Sequence, residues 1–284
     1  TKYGSADKIA AAWGVPADKV ESPGRIGIPP DKPARGDRRL LDYQRFREHV
    51  GDAWTQRMVA AIRAADRRHM ITIGHIQWAS PVMLPGVRHY AGFDLRTNAR
   101  RPDFTTIHFY PVASPRPCDA PEGIAVNRAY LQALLHDCSV GKPLMLGEFN
   151  WYGGGGLHGH AGWELPEKPI EHQAEWCNEL LDVTRGRVCG WLNWAFADTP
   201  TARDITRWSG CWTADLKLKP WGKVFGEFAR AKTRHPEPPR AFDEAVGATP
   251  FDRDAALTDP AVGNEYRQAL QQRLASRPSH QPPP

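Results

Sequence analysis

Four short apolar segments, the first of them rich in β-branched residues, recur along the chain, and stretches with helical character lie between them. The four segments are Met70–Trp78, Phe104–Tyr110, Leu144–Phe149 and Val188–Phe196. Segments of this kind are typical of β-strands. Because strands that alternate with helices are joined by right-handed crossovers, the pattern predicts an α/β protein with a parallel sheet and helices packed outside it.

The intervening stretches repeat their apolar residues every three or four positions, as helices do. Ser5 is a suitable N-cap for a short helix that ends near Gly14. The longest helix, amphipathic and predicted at Asp42–Arg68, has its apolar residues at Tyr43, Phe46, Val50, Trp54, Met58, Ala61, Ile62 and Ala65. Further helices are predicted at Asn127–His136, Ile170–Thr184, Trp221–Lys232 and Gly263–Leu274.

Four strand-and-helix units are half of an eight-stranded barrel, so we expect the C-terminal half of a (β/α)8 TIM barrel, strands five to eight. Residues 42–232 would form this half barrel. Residues 1–41 contain the first helix and a proline-rich loop, predicted at Val15–Arg39, that leads into it. Residues 233–284 form a proline-rich extension that ends in the tail Pro282–Pro284.

Composition excludes several classes of function. The chain is 41% hydrophobic and 10% aromatic, which is enough for a substantial core. Its 37 basic residues are scattered among 32 acidic ones and form no continuous stripe, so a solvated surface is expected and no nucleic-acid partner. No uninterrupted apolar run approaches the roughly 20 residues that span a bilayer, so no membrane partner is expected either.

The metal-binding side chains show no pattern of a metal site. Five cysteines contain no C-x-x-C pair, which leaves their disulfide state open. His158 and His160 follow the glycines Gly153–Gly156, but a third ligand at suitable spacing is missing from the sequence around them. We therefore expect no metal and no cofactor, and a flexible glycine-rich loop beyond Glu148.

Catalytic residues of such barrels lie at the carboxyl ends of the strands. The strand Leu144–Phe149 carries Glu148 near its end, and strict alternation places Leu144, Leu146 and Glu148 on one face. A carboxylate beside an apolar strand face needs a partner, because burying it unpaired costs several kcal/mol. Glu148 is therefore a candidate catalytic carboxylate, although a solvated acid or half of a structural ion pair would account for it as well.

The preceding strand ends in His108 and Tyr110, which alternation places on a common face. A tyrosine hydroxyl can hold a carboxylate in its ionised form, and a histidine can orient a sugar hydroxyl. Each residue alone is equally well explained as a core histidine or an interfacial aromatic. Together with Glu148 they predict a site at the end of the sheet.

Tryptophans at the ends of the outer strands are candidates for sugar binding, because an indole offers a flat apolar face to a pyranose ring. Trp191 and Trp194 both lie in the last strand, and the sequence does not decide between them. Trp78 and Gln77, at the end of the first strand, are candidates to line the cleft, with an orientation that the sequence leaves open.

These strands resemble those of a known family. Asp103–Tyr110, Lys142–Phe149 and Gly190–Trp194, followed by Lys219-Pro220, are similar to strands six, seven and eight of clan A glycoside hydrolases, especially the cellulase-like family 5. The similarity covers roughly Asp42 to Arg230. It implies a retaining β-glycosidase that acts on a β-linked glycan or glycoside, with a secreted or periplasmic location.

The resemblance also assigns roles to individual residues. It implies that Glu148 is the nucleophile, that His108 and Tyr110 support it, and that Trp194 stacks on the sugar. Such enzymes carry a second glutamate, the general acid and base, at the end of strand four, commonly as Asn-Glu-Pro. Here Asn178-Glu179 and Asn264-Glu265 are followed by Leu and Tyr and lie in helical patterns.

We therefore expect the chain to begin after the strand that bears this second glutamate, and to be inactive alone. Two other interpretations remain open. One is a carbohydrate-binding protein without catalysis on a degenerate barrel. The other is a barrel hydrolase with metal-dependent chemistry.

Overall fold

The computed structural model describes residues 2–20, 36–82, 92–111, 121–160, 163–234 and 238–275. Its strands are β1 (Gly74–His75), β2 (Thr105–Phe109), β3 (Leu144–Phe149), β4 (Gly155–His160), β5 (Trp163–Lys168) and β6 (Trp191–Asn193). Strands β1, β2, β3 and β6 form a parallel sheet in that order, and β4 pairs with β5 in an antiparallel hairpin. The predicted α/β architecture with a parallel sheet is confirmed.

The helices are α1 (Ala6–Trp13), α2 (Arg38–Ala65), α3 (Leu95–Asn98), α4 (Pro121–Asp137), α5 (Glu171–Thr184), α6 (Pro220–Arg234), α7 (Glu244–Ala248), α8 (Arg253–Thr258) and α9 (Pro260–Ala275). Ser5 caps α1 by accepting a hydrogen bond from the Lys8 amide, and Gly14 ends it with a φ of 65°. Both ends of α1 are as predicted, since a left-handed residue after a helix favours glycine.

Strand β3 has the predicted bounds, whereas β1 and β6 are shorter than Met70–Trp78 and Val188–Phe196. Within the described residues, β1 pairs only with β2 and β6 only with β3. A strand with one neighbour keeps ladder hydrogen bonds only where that neighbour lies alongside it. The sheet is therefore consistent with part of a barrel, and the half barrel itself stays a proposal.

The main core lies between the parallel sheet and helices α4, α5 and α6. Ile107, Leu146 and Phe149 from the sheet are fully buried in it, together with the helix residues Leu131, Leu134, Leu180, Leu181 and Trp221. Each such side chain contributes about 1.5–3 kcal/mol when it leaves water. This packing fixes the strands whose carboxyl ends carry the candidate site.

Helix α2 exists as predicted, but its apolar positions do not face the core. Its side chains at every fourth position are 40–60% exposed: Phe46, Val50, Trp54, Met58 and Ile62. Its buried positions include Gln44, Glu48 and Asp52. Asp52 accepts hydrogen bonds from Arg100 and Arg101, which lower its pKa to about 2. The buried face of this helix is thus largely polar, and ion pairs from Asp52 join it to the segment that follows α3.

The glycine-rich segment beyond Glu148 is not the flexible loop that the sequence predicted. Residues from Gly155 onward form β4, and Trp208 donates its indole N–H to the Gly156 carbonyl at 2.7 Å. A Cβ added to Gly155 would lie 2.5 Å from the Trp208 ring. The glycines thus serve a close approach between the hairpin and an aromatic side chain.

Some sequence predictions can be compared only in part. Residues 21–35 of the predicted loop, Cys118 and the tail Pro282–Pro284 lie outside the described residues. Within the part of the chain that is described, the free cysteines are Cys138, Cys177, Cys189 and Cys211. None of the described helices is both long and apolar enough to cross a lipid bilayer.

Candidate functional site

The carboxyl ends of β2 and β3 bring three predicted site residues together. The Tyr110 hydroxyl donates a hydrogen bond to Glu148 Oε2 at 2.7 Å, and His108 Nδ1 lies 3.3 Å from the same oxygen. The Glu148 side chain is 27% exposed and that of His108 18% exposed. A carboxylate with two polar partners and access to solvent can therefore act on a ligand at this end of the sheet.

Glu148 reaches this position through a β-bulge, which the strict alternation predicted from sequence does not contain. Leu144 and Leu146 are buried in the helix-side core, so the prediction that Glu148 shares their face is wrong. The register of β2 and β3 pairs Ile107 with Leu146 but His108 with Glu148. Gly147 is the extra residue, and such a bulge turns the next side chain to the other face.

Two glycines leave room for the His108 ring on the neighbouring strands. A Cβ added to Gly74 in β1 would lie 3.1 Å from His108 Nε2. A Cβ added to Gly147 in β3 would lie 3.3 Å from His108 Cδ2 and 3.1 Å from the Thr106 Cβ. A side chain at either glycine would press on the imidazole, so both contribute to its position beside Glu148.

Burial sets the protonation of the two groups that contact Glu148. It raises the pKa of Tyr110 well above its ordinary value of 10, and the hydrogen bond to Glu148 acts in the same direction. It lowers the pKa of His108 below 6.5, although the negative charge of Glu148 opposes that shift. At neutral pH the phenol is therefore a permanent donor and the imidazole is uncharged.

We expect the His108 ring signal to titrate with a midpoint below 6.5 in an NMR pH series. Replacing Glu148 by Gln removes the negative charge that favours the imidazolium, so the midpoint should fall further. The matched control is Glu164→Gln, which removes an exposed carboxylate of β5 outside the cluster and should leave the His108 midpoint unchanged. A midpoint of His108 that rises in the Glu148→Gln protein would contradict this arrangement.

The structure distinguishes between the two tryptophans of the last strand. Trp191 packs its ring against Phe228 and donates its indole N–H to Thr184 Oγ1 at 2.8 Å, so it belongs to the helix side. Trp194 is 43% exposed and donates its indole N–H to Thr206 Oγ1 at 3.0 Å. The Trp194 backbone amide donates to the Phe149 carbonyl at 3.3 Å, directly after Glu148, and the peptide bond that follows Trp194 is cis.

Gln77, just after β1, hydrogen-bonds to the backbone of Tyr110. Gln77 is fully buried, and its side-chain amide donates to the Tyr110 carbonyl at 2.9 Å while its oxygen accepts from the Tyr110 amide at 2.5 Å. Trp78 lies next to it in the 3₁₀ turn Gln77–Ala79 and is partly buried. The orientation of Gln77 was open from sequence, and a role for Trp78 in sugar binding stays a prediction.

Asn150 is a residue that the sequence analysis missed. Its buried amide donates to the Trp194 carbonyl at 2.7 Å and to the Ser209 carbonyl, and its oxygen accepts from the Trp151 amide at 2.6 Å. Gln173 of α5 donates to the same oxygen at 3.1 Å. Asn150 thus ties Trp194 to the strand that bears Glu148. A polar residue directly after a buried strand was the available signal.

Lys219 is a second residue whose role appears only in the structure. Its ammonium group is fully buried and lies 3.0 Å from Asp198 Oδ1, and it donates to the carbonyls of Gly153 and Trp208 at 3.0 and 2.7 Å. Asp198 also accepts from the Gly210 amide at 2.8 Å. This buried pair joins the segment after Glu148 to the segment after Trp194.

Other carboxylates have different surroundings. Asp204 caps the turn Ile205–Arg207, and its charge contributes to the raised pKa of Tyr110, so it is near the candidate site. Glu179 pairs with Arg128 of α4, in the helix layer. Across the described ranges, no group of three or more His, Cys, Asp or Glu side chains is arranged to hold a metal ion.

The chain was compared with known families, curated proteins and solved structures. No family model matches it, and no curated protein matches it. A β-D-glucuronidase from Dictyoglomus thermophilum is similar, with 20% identity, 68% of this chain and 30% of that chain covered, and a TM-score of 0.47.

A β-glucuronidase from Ruminococcus gnavus in complex with D-glucuronic acid is similar at 18% identity, with 63% of this chain and 29% of that chain covered and a TM-score of 0.47. The present chain thus spans about 30% of the length of these proteins. At these identities and TM-scores, the similarity assigns neither a family nor a substrate.

Proposed function

We propose that this chain carries the nucleophile of a retaining glycoside hydrolase that cleaves a β-linked glycan or glycoside, with Glu148 as that nucleophile. The observation that supports this proposal is the Glu148 carboxylate between the Tyr110 hydroxyl and His108 Nδ1 at the carboxyl end of the parallel strands. Trp194, exposed on the neighbouring strand, is proposed to stack on the sugar.

The contacts that the described residues make with Glu148 fall on Oε2. Oε1 is therefore the oxygen proposed to attack the anomeric carbon. As the new C–O bond forms, the bond to the leaving oxygen breaks and that oxygen takes the electron pair. Tyr110 donates a hydrogen bond to the other carboxylate oxygen and holds the group in place, and neutral His108 can accept or donate a hydrogen bond to a sugar hydroxyl without adding charge.

The complete reaction needs a second carboxyl group about 5 Å from the nucleophile, first as acid and then as base. Glu179 is engaged with Arg128 on the helix side, and Asp204 caps the turn Ile205–Arg207, so neither is proposed for this role. The proposal therefore requires a carboxyl group contributed by polypeptide outside the described residues, on the remaining strands of a (β/α)8 barrel. Turnover of ordinary glycosides by this chain alone is not expected.

An activated substrate tests Glu148 without that second group. A 2,4-dinitrophenyl 2-deoxy-2-fluoro-β-glycoside has a leaving group that departs unprotonated, and its fluorine slows release of the glycosyl-enzyme. We expect one member of a series with glucose, mannose, galactose and glucuronic acid to add a single fluorosugar mass to the chain. Peptide mass spectrometry should place the label on Glu148.

The Glu148→Gln protein should acquire no label, because an amide is a poor nucleophile. The matched control is Glu164→Gln in β5, an exposed glutamate outside the cluster, which should be labelled like the unaltered chain. Absence of label from the whole series, with sugar binding unchanged by Glu148→Gln, would indicate a binding protein without catalysis. Label on another carboxylate would disprove the assignment of Glu148.

A further inference from the structure

Two aromatic side chains lie in contact on the surface just beyond β6. Phe196 is 70% exposed, and Trp212 is partly exposed. Their ring centroids are 6.2 Å apart with an angle of 31° between the planes. Rings that remain exposed contribute little to the core, so a ligand that covers this contiguous pair is the better explanation for it.

Backbone hydrogen bonds order the main chain that carries these two rings. The Trp212 amide donates to the Phe196 carbonyl at 3.1 Å, and the Asp198 amide donates to the Trp212 carbonyl at 2.9 Å. The Cys211 amide donates to the Ala195 carbonyl at 3.2 Å. The buried pair of Asp198 and Lys219 lies at the base of the same segment. A ligand would therefore meet rings whose main chain is already ordered, which lowers the entropic cost of binding.

The pair continues the candidate site along the chain. Phe196 follows Trp194 by two residues, and the Trp194 amide bonds to the Phe149 carbonyl, next to Glu148. Exposed aromatic residues thus occur at positions 194 and 196, in the segment whose backbone is bonded to the residue after Glu148. Two rings cover far less than the roughly 800 Å² that each partner buries in a stable protein interface, but they match the flat face of one sugar unit.

We propose that Phe196 and Trp212 bind a second sugar unit, adjacent to the one at Glu148, so that the ligand is a β-linked glycan of at least two units. This inference rests on the proposed function. It narrows the proposed substrate from a β-linked glycan or glycoside to a glycan. Trp194 stacks on the unit at the carboxylate, and the Phe196–Trp212 pair receives its neighbour.

The test uses the full chain with Glu148→Gln, so that no covalent step interferes, and titrates it by calorimetry. The probes are the mono-, di- and trisaccharides of the β-1,4-linked glucose, mannose and N-acetylglucosamine series. In one series, we expect the disaccharide to bind roughly threefold to tenfold more tightly than the monosaccharide. Phe196→Ala should remove that gain, and its high exposure leaves the fold intact.

Trp212→Ala should have the same effect, with its folding checked by thermal unfolding. Phe46→Ala, which removes an aromatic on α2 that is 60% exposed, is the matched control and should keep the gain. A disaccharide gain that survives Phe196→Ala, or no gain in any series, would overturn the inference. If an activated monosaccharide labels Glu148 but no disaccharide gain appears, this inference is wrong and the proposed function stands. If no label is found but a disaccharide gain depends on Phe196, only the assignment of Glu148 as nucleophile is wrong.

Discussion

Replacing Lys219 by Met should destabilise the chain by about 3–5 kcal/mol, because it leaves the Asp198 carboxylate buried without its partner. The Lys219 ammonium group is fully buried and satisfies Asp198 and two backbone carbonyls. Burial lowers the pKa of Lys219 and raises that of Asp198, so desolvation outweighs their attraction for both groups. Urea unfolding followed by circular dichroism measures the loss.

Two further variants separate the charge effect from packing. Lys219→Met combined with Asp198→Asn removes the orphaned charge and should recover part of the lost stability. Lys217→Met, two residues away, removes an exposed lysine that pairs with exposed Asp215 and should change the stability little. Equal losses from Lys217→Met and Lys219→Met would show that the buried pair has no special role.

Replacing Asn150 by Leu is the second large expected effect. The change keeps the side-chain size but leaves the Trp194 carbonyl without its donor and the Trp151 amide without the Asn150 oxygen that accepts from it. Each unsatisfied buried group costs about 1–3 kcal/mol, so a loss of about 2–6 kcal/mol is expected. Thermal and urea unfolding measure it, and the rate of fluorosugar labelling at Glu148 reports whether the displaced Trp194 also weakens sugar binding.

Asn178→Leu provides the comparison for Asn150. It makes the same chemical change at an exposed position of α5, the helix that also carries Gln173, and should leave both stability and labelling nearly unchanged. Should Asn150→Leu unfold at the same urea concentration as the unaltered chain, the proposed link between β3 and Trp194 would be wrong.

The fold class was predictable because apolar periodicity depends on local sequence. Strand β3 and helix α1 have the predicted positions, since a short apolar run and a Ser-to-Gly pair of caps are local signals. Which face of α2 is buried was not predictable in this way. Its apolar side chains at every fourth position are exposed, whereas Asp52 is buried and pairs with arginines 48 and 49 residues away, a contact that local periodicity does not reveal.

The candidate site likewise has features that local sequence predicts and features that only the tertiary structure determines. The sequence by itself determined which residues are available: an acid, a histidine and a tyrosine at the ends of two adjacent strands. Only the tertiary structure decided that Glu148 turns toward His108, because a one-residue shift of register at Gly147 reverses the face that alternation assigns.

The supports of the site were decided by the tertiary structure as well. Gln77, Asn150 and Lys219 act through backbone groups that lie 33 to 66 residues away in the chain. Hydrogen bonds of this kind depend on which distant segments come into contact, and local sequence does not predict those contacts. The residue types therefore determine which chemistry the site can perform, whereas long-range packing and buried polar contacts determine how the side chains are oriented.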